Sequence, residues 1–201
     1  MTYDHETIDC KSALRAKFAD LRLGLDESYM SRSSSEICKF IRSISEIRDE
    51  DLLAAFYPMK GEPDILPFLS GWISSRRKLL FPRFDKSSKS YGMACVDKLS
   101  DGFSPGKFGI PEPGGQFPDA DTGLKKSVSW LVPGLVFDRK GNRLGHGCGV
   151  FDLLLSDAEG LKIGICFEKQ ITDSVPVEKS DVKMDFIVTE TGVRTCRNGG
   201  I

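Results

Sequence analysis

The chain has 201 residues, enough for one substantial hydrophobic core or at most two small ones. Its formal net charge is −1, with 28 Lys and Arg against 29 Asp and Glu. This balance argues against nucleic acid as the main partner, since nucleic-acid binders usually carry a marked basic excess. The N-terminus is polar, no apolar run reaches the length of about 18 residues that crosses a bilayer, and no C-x-x-C pair occurs. We therefore expect a cytoplasmic protein with reduced thiols and no membrane partner.

Hydrophobic periodicity predicts alternating helices and strands in the first half of the chain. In order, the predicted elements are a helix from about Asp9 to Leu25, a helix from near Asp26, a buried strand over Leu52–Tyr57, a helix from Pro63, a strand around Leu80 and a shorter strand over Tyr91–Val96. The segment Ser100–Gly123 is dense in Gly, Pro, Asp and Ser, which predicts a loop.

The second half continues the alternation without a repeat or a low-complexity linker. The run S-V-S-W-L-V-P-G-L-V-F predicts a central strand, with Pro133 at an end or a bulge. A helix from near Val150 and strands over Leu161–Phe167 and Met184–Glu190 follow. The pattern predicts one α/β domain over residues 1–201 with a largely parallel sheet, and a tail that frays from about residue 195.

The stretch N-R-L-G-H-G-C-G-V-F-D, residues 142–152, is the clearest candidate site. Gly145, Gly147 and Gly149 allow backbone N–H groups to converge on an anion, and Arg143 can contact a phosphate oxygen. The loop is neither a Walker loop nor the dinucleotide fingerprint, so a plain flexible loop is the alternative. Asp152 either stabilises a helix N-terminus or, if phosphate binds here, coordinates Mg²⁺.

Other polar residues are open to two interpretations. Lys11 and Arg15 lie one helical turn apart, as a solvated helix face or as a clamp on polyphosphate. Cys148 follows a loop histidine, His146, but no histidine–acid pair accompanies it. Oxidation sensitivity is therefore a better expectation for Cys148 than covalent catalysis.

Several motifs together resemble one protein family. The run V-P-G-L-V-F-D-R-K-G-N-R-L-G-H-G-C-G-V-F-D resembles P-G-x-x-F-D-x-x-G-x-R-L-G-x-G-x-G-Y-Y-D, the signature of the 5-formyltetrahydrofolate cyclo-ligases. K-S-A-L-R, F-Y-P-M-K-G-E-P-D, F-P-R-F, G-I-P-E-P and F-E-K-Q-I-T-D-S-V-P-V-E-K-S-D-V-K-M-D resemble further blocks of that family, in the same order. The resemblance extends from Lys11 to Glu190.

This resemblance implies a single α/β domain with a mixed, mostly parallel sheet and helices on both faces. It also implies a monomer that uses ATP and Mg²⁺ to convert 5-formyltetrahydrofolate into 5,10-methenyltetrahydrofolate through a phosphorylated formyl group. The implied ATP-binding residues are Lys11, Arg15, Arg143, Gly145, His146, Gly147, Cys148, Gly149, Phe151 and Asp152, with Arg143 and Asp152 catalytic and Asp152 on the metal. The implied folate-binding residues are Glu62, Phe84, Met93, Phe108 and Phe151, although these aromatic and Met side chains are equally expected in a core.

The loop departs from the family pattern at three positions. Val150 and Phe151 stand where two tyrosines are common, and Cys148 stands where some members have lysine. These departures motivate an alternative, a catalytically impaired paralogue that binds nucleotide or folate and regulates another process. A related ligase or kinase acting on another pterin or amide is a further alternative.

Overall fold

A computed structural model describes residues 5–121 and 123–197, and most helices begin and end near the predicted positions. The helices are α1 (His5–Leu23), α2 (Glu27–Ser43), α3 (Leu66–Ser74), α4 (Leu124–Ser127) and α5 (Val150–Leu155). Asp26 caps α2, because its carboxylate accepts the Tyr29 N–H at 3.0 Å. The prediction that α3 begins at Pro63 is wrong by three residues, since the Asp64 carboxylate accepts the Leu66 N–H at 3.0 Å just before the helix.

Within the described residues, the central sheet has seven strands. The strands of the molecule are β1 (Leu52–Ala54), β2 (Lys78–Asp85), β3 (Ser90–Val96), β4 (Phe103–Pro105), β5 (Pro111–Pro113), β6 (Ser129–Pro133), β7 (Val136–Asp138), β8 (Arg143–Leu144), β9 (Lys162–Ile165), β10 (Ile171–Thr172), β11 (Phe186–Thr189) and β12 (Gly192–Thr195). The central order is β12-β11-β9-β6-β1-β2-β3, with parallel pairs inside and antiparallel pairs at both edges. This confirms the predicted mixed, mostly parallel α/β fold.

Helices cover both faces of this sheet, because successive strand residues point to opposite sides. On β1, Leu53 belongs to a buried cluster with Ile37 of α2 and Leu69 of α3. Its neighbour Ala54 belongs to the opposite cluster, which contains Leu154 of α5. α1 buries Phe18 in a third cluster and packs Leu21 against the first.

The apolar segment 127–137 forms two strands rather than the predicted one, while the prediction that Pro133 lies at a strand end is confirmed. β6 ends at Pro133, which has no N–H group to continue the ladder. β7 then joins β8 and β10 in a separate three-stranded sheet. A Cβ atom on Gly134 would approach the Phe137 ring to 2.7 Å, so glycine is needed where the chain leaves the central sheet.

The structure differs from the sequence prediction at three further places: a predicted loop, the end of a predicted strand and the predicted tail. Residues 100–123 contain the antiparallel pair β4–β5 and a short 3₁₀ helix over Lys107–Gly109. β1 ends at Ala54 rather than at Tyr57. The tail predicted from residue 195 begins inside β12, and Cys196 is buried; residues 198–201 lie outside the described residues.

Two further findings concern the described part of the chain. All six cysteines are free thiols. Within residues 5–121 and 123–197, no helix combines the length and the apolar character that a membrane crossing requires.

β1 and β6 are neighbours, yet the chain leaves them in opposite directions. α3 leads from β1 to β2 on one side, and α5 leads from β6 to β9 on the other. Diverging connections of this kind open a crevice at the carboxyl ends of the two strands, where α/β sheets bind their ligands. The topology thus indicates a site beyond Ala54 and Pro133.

Candidate active site

A cavity of about 280 Å³ lies at this crevice. The segments that line it follow β1, β6 and β8 or belong to the loop between β4 and β5. Its lining residues are Phe56, Tyr57, Met59, Glu62, Phe108, Ile110, Pro133, Gly134, Arg143, Gly145, His146, Gly147, Cys148, Gly149, Val150, Phe151 and Asp152. The fold therefore brings the whole glycine loop together with Glu62 and Phe108, as the sequence predicts.

Glycine is needed at the three loop positions for different structural reasons. Gly147 and Gly149 have φ angles of 93° and 67°, which only glycine adopts without strain. Gly145 has no such angle, but a Cβ atom there would lie 2.8 Å from Arg143 Nη1. Gly145 thus makes room for a side chain, whereas the other two shape the backbone. α5 has only six residues, so the loop amides matter more here than a helix dipole.

Arg143 lies in a narrow slot at the wall of the cavity. Its side chain is 4% exposed, and its stem passes Gly134, where a Cβ atom would come within 3.1 Å of Arg143 Cγ. Nη2 donates to Asp152 Oδ1 and Nη1 donates to the Pro133 carbonyl at 3.4 Å, while Nε has no partner among the described residues. Burial lowers the pKa of Arg143, and the Asp152 carboxylate opposes that shift. The guanidinium is therefore poorly solvated and has unused hydrogen-bonding capacity.

Asp152 is the acidic residue of the cavity nearest the glycine loop. Its side chain is 41% exposed, and the contact with Arg143 uses one carboxylate oxygen. Among the described residues, no group of three or more His, Cys, Asp or Glu side chains forms a ready metal site. Any divalent ion held by Asp152 would thus need most of its other ligands from water or from a bound phosphate, which is the usual arrangement for Mg²⁺.

Glu62 enters the cavity from the loop after β1, and its side chain is 7% exposed. Oε2 accepts the Met59 N–H at 3.0 Å, and Oε1 lies 3.6 Å from Arg22 Nη1. Burial raises the pKa of Glu62, although Arg22 and the Met59 N–H oppose that shift. A buried carboxylate with a raised pKa in a cavity is a candidate for ligand recognition.

Lys11 and Arg15 of α1 do not line the cavity. Lys11 Nζ forms ion pairs with Asp181 at 2.7 Å and with Glu178 at 3.1 Å. Arg15 Nε donates to the Gly145 carbonyl at 3.1 Å. Arg15 therefore supports the glycine loop through its backbone. The charge of Lys11 is already balanced by two carboxylates.

The predicted aromatic and sulfur residues separate into two groups. Phe108, 53% exposed with a φ of 62°, and the half-buried Phe151 line the cavity. Met93 is instead buried in the cluster around Ala54. Phe84 packs against the Tyr91 ring, 5.3 Å between centroids, and is not a lining residue.

The model of the 5-formyltetrahydrofolate cyclo-ligase family matches residues 7–190. The chain belongs to this family. The cyclo-ligase of Saccharomyces cerevisiae is 26% identical, in an alignment that covers 90% of this chain and 96% of that relative. Family membership indicates that the chain is an enzyme with 5-formyltetrahydrofolate cyclo-ligase activity.

Solved structures of the cyclo-ligase type agree with this assignment. The NMR structure of Aquifex aeolicus 5,10-methenyltetrahydrofolate synthetase matches with a TM-score of 0.81 and 30% identity over 95% of each chain. The 5,10-methenyltetrahydrofolate synthetase from Mycoplasma pneumoniae matches with a TM-score of 0.70 and 19% identity, over 90% of this chain and 98% of that one. The second likeness shows the same fold.

The departures from the cyclo-ligase signature fit this structure. Val150 is buried in the same cluster as Leu154, so an apolar side chain suits the position. Phe151 keeps an aromatic ring at the cavity wall, and Cys148 is exposed in the loop. These substitutions leave the loop and its slot for Arg143 intact.

Sequence reasoning missed several residues of the cyclo-ligase cavity. Phe56, Tyr57, Met59 and Ile110 line it, and Arg22 contacts Glu62 from α1. Phe56 and Tyr57 could have been found, because they directly follow a buried parallel strand next to the point where the connections diverge. Arg22 carried a weaker signal, since it continues the basic row of Lys11 and Arg15 at helical spacing.

Proposed function

We propose that this chain closes the ring of 5-formyltetrahydrofolate to give 5,10-methenyltetrahydrofolate, using ATP with Mg²⁺ and releasing ADP and phosphate. The observation that carries the proposal is one cavity lined by two chemically distinct sets of residues. One set is Arg143 with the glycine loop, and the other is the buried Glu62 with apolar and aromatic side chains.

The glycine loop is the proposed site of the triphosphate. Backbone N–H groups around Gly147 and Gly149 and the Arg143 guanidinium offer donors to phosphate oxygens. Phosphoryl transfer depends mainly on positioning and on neutralising charge, so these groups supply what the step needs without a nucleophile. In this assignment His146, Cys148 and Phe151 form part of the loop surface that faces the phosphates. Arg15 holds the loop through its hydrogen bond to the Gly145 carbonyl.

Asp152 fits a magnesium ion that is shared with phosphate. It is partly exposed, it has one carboxylate oxygen free of Arg143, and Mg²⁺ in phosphoryl-transfer sites usually has one or two carboxylate ligands. When bound there, Mg²⁺ neutralises phosphate charge. Arg143 orients the Asp152 carboxylate toward the cavity.

Glu62 is the proposed anchor of the folate. An ionised carboxylate accepts the N–H groups of a pterin ring more strongly than a neutral acceptor does. Phe108, Tyr57 and Ile110 supply an apolar wall for the ring. Met93 and Phe84, which lie outside the cavity lining, can act on the folate only by supporting this wall.

The proposed chemistry has two steps. The formyl oxygen attacks the γ-phosphorus of ATP, the bond to the β-phosphate oxygen breaks, and ADP leaves. The neighbouring folate amine then attacks the activated formyl carbon and loses its proton, and the C–O bond breaks to release phosphate. Arg143 and the loop amides hold the phosphate oxygens that gain charge in the first step.

The test is formation of the methenyl chromophore from purified protein, ATP, Mg²⁺ and 5-formyltetrahydrofolate. We expect turnover that requires all three additions, with release of one ADP for each product. No product from folded protein over a wide substrate range would refute the proposal. Binding of both ligands without product would instead support the regulatory paralogue, which no feature of this cavity favours.

The monomeric state and the cytoplasmic location remain predictions from the sequence. Light scattering of the purified chain tests the first, and a dimer mass would contradict it. Imaging of the tagged chain in its own cell tests the second.

A further inference from the structure

Arg22 is a buried cation that the proposed chemistry does not use. It lies near the end of α1, and its side chain is 6% exposed. It contacts the loop of residues 60–62 and also His146 of the glycine loop. One side chain thus contacts both of the segments that we assign to the two substrates.

The guanidinium of Arg22 makes several contacts at once. Nε donates to the Gly61 carbonyl at 3.0 Å, and Nη2 donates to the Lys60 carbonyl at 3.1 Å. Nη1 lies 3.1 Å from His146 Nε2 and 3.6 Å from Glu62 Oε1. Only the planar, five-donor fork of arginine can satisfy acceptors in this arrangement, and a lysine ammonium cannot reach them all.

These contacts also determine the state of His146. Arginine has donors only, so His146 Nε2 must accept the hydrogen bond and the imidazole must be neutral. Partial desolvation of the ring and the nearby Arg22 charge both lower the pKa of His146, which agrees with a neutral ring. The histidine therefore connects the glycine loop to Arg22 as an acceptor.

The pair of Arg22 and Glu62 is not explained by stability alone. Burial lowers the pKa of Arg22 and raises that of Glu62, so desolvation outweighs the mutual attraction of the two charges. Buried ion pairs of this kind are often no more stable than apolar replacements. A positional requirement is the better reason for this pair, because Arg22 fixes the turn at Gly61, whose φ is 82°.

We propose that Arg22 is a positioning residue that couples the two substrate sites, so that occupation of one raises the affinity of the other. A ligand that orders the glycine loop also fixes His146 and Arg22, and hence the loop that carries Glu62. The second ligand then finds its loop already ordered and binds with a smaller entropic loss. The inference rests on the proposed function, which assigns ATP to one loop and folate to the other.

Calorimetry on the full chain measures this coupling directly. The dissociation constant of a non-hydrolysable ATP analogue with Mg²⁺ is determined with and without saturating 5-formyltetrahydrofolate. For the wild type we expect about 5-fold or more tightening, the lower end of typical coupling between sites. In Arg22→Lys we expect the ratio to fall to about 1. A purely structural role would weaken each single affinity without removing the ratio.

Two sets of variants control for effects on folding. Arg42 also donates to two backbone carbonyls, those of Cys38 and Pro67, but it does not line the cavity, so Arg42→Lys should keep the wild-type ratio. His146 is exposed, so His146→Leu removes the acceptor without unfolding the chain. The ratio of dissociation constants should then also fall to about 1. His146→Gln keeps an acceptor and should restore it.

The outcomes separate this inference from the proposed function. A ratio near 1 in the wild type, or an unchanged ratio in both Arg22→Lys and His146→Leu, overturns the coupling role. Absence of the methenyl chromophore overturns the proposed function, while the calorimetric ratio still tests Arg22.

Discussion

Replacing Arg143 by alanine should remove most of the activity and leave the fold almost unchanged. The loss of stability is limited because the ion-pair partner, Asp152, is 41% exposed, so water can solvate its carboxylate once Arg143 is removed. Alanine loses the packing of the Arg143 side chain, which destabilises the fold, but it also removes a buried charge that is costly to desolvate. The second effect offsets part of the first. For a chain of this size we expect a decrease in melting temperature of about 2–4 °C per kcal/mol.

The effect on catalysis should be far larger. Removing one preorganised donor from a site of developing charge typically costs about 2.7–4 kcal/mol of transition-state stabilisation, a rate loss of about 10²–10³. The assay is the initial rate of chromophore formation at varied ATP with saturating folate. Arg143→Lys retains a cation but lacks the planar guanidinium that donates two parallel hydrogen bonds, so it should lose roughly 10-fold or more.

Arg139 provides the matched control, since it is an exposed arginine in the same β7–β8 hairpin and does not line the cavity. Arg139→Ala should keep the wild-type rate. Our reasoning is refuted if folded Arg143→Ala retains a kcat/KM for ATP within about 3-fold of the wild type, because the donor would then contribute less than about 1 kcal/mol.

Two other predictions concern the same cavity. A Cβ atom on Gly145 would lie 2.8 Å from Arg143 Nη1, so Gly145→Ala should displace the guanidinium and lower kcat/KM for ATP. Gly115→Ala is the control, because the space around its Cβ is open, and it should keep the wild-type value. Equal values in the two variants would contradict the conclusion that Gly145 makes room for Arg143. Burial raises the pKa of Glu62, so the KM for folate should begin to rise, as pH falls, at a higher pH than for an ordinary glutamate. Because the folded chain holds this proton more tightly than the unfolded chain, the stabilising contribution of Glu62 is fully present below its unfolded pKa and is lost as pH rises through the folded pKa. Glu62→Gln should abolish this pH dependence of KM, and a profile identical to the wild type would refute the assignment.

The sequence predicts most of the fold because its strands are strongly apolar and separated by clear breakers. It fails where a local signal competes with a tertiary contact. The apolar run through Pro133 looks continuous, but Gly134 lets the chain turn away because the Phe137 ring packs directly against it. The edge strand β12 is short and half-exposed, so its residues carry no strong hydrophobic period.

The site was predicted as a set of residues but not as a set of contacts. The glycines were expected to shape the backbone, yet Gly145 is needed for the volume of Arg143. His146 carried little information in the sequence, whereas in the structure it contacts Arg22 at 3.1 Å. The contact between Arg22 and His146 joins residues 124 positions apart, and no pattern within one segment encodes it.

The contacts of α1 have a consequence for how the enzyme is made. Lys11 contacts Asp181, 170 positions later in the chain, and Arg15 contacts Gly145, 130 positions later. During synthesis, the first helix emerges long before the segments that its cations hold, so these charges remain in water until almost the whole chain has left the ribosome. The active site can therefore assemble only when the chain is nearly complete, at the same stage as β9 and β11 join the central sheet. A truncation within α1 should therefore remove the contact between Arg15 and Gly145 while leaving every strand of the central sheet in the chain.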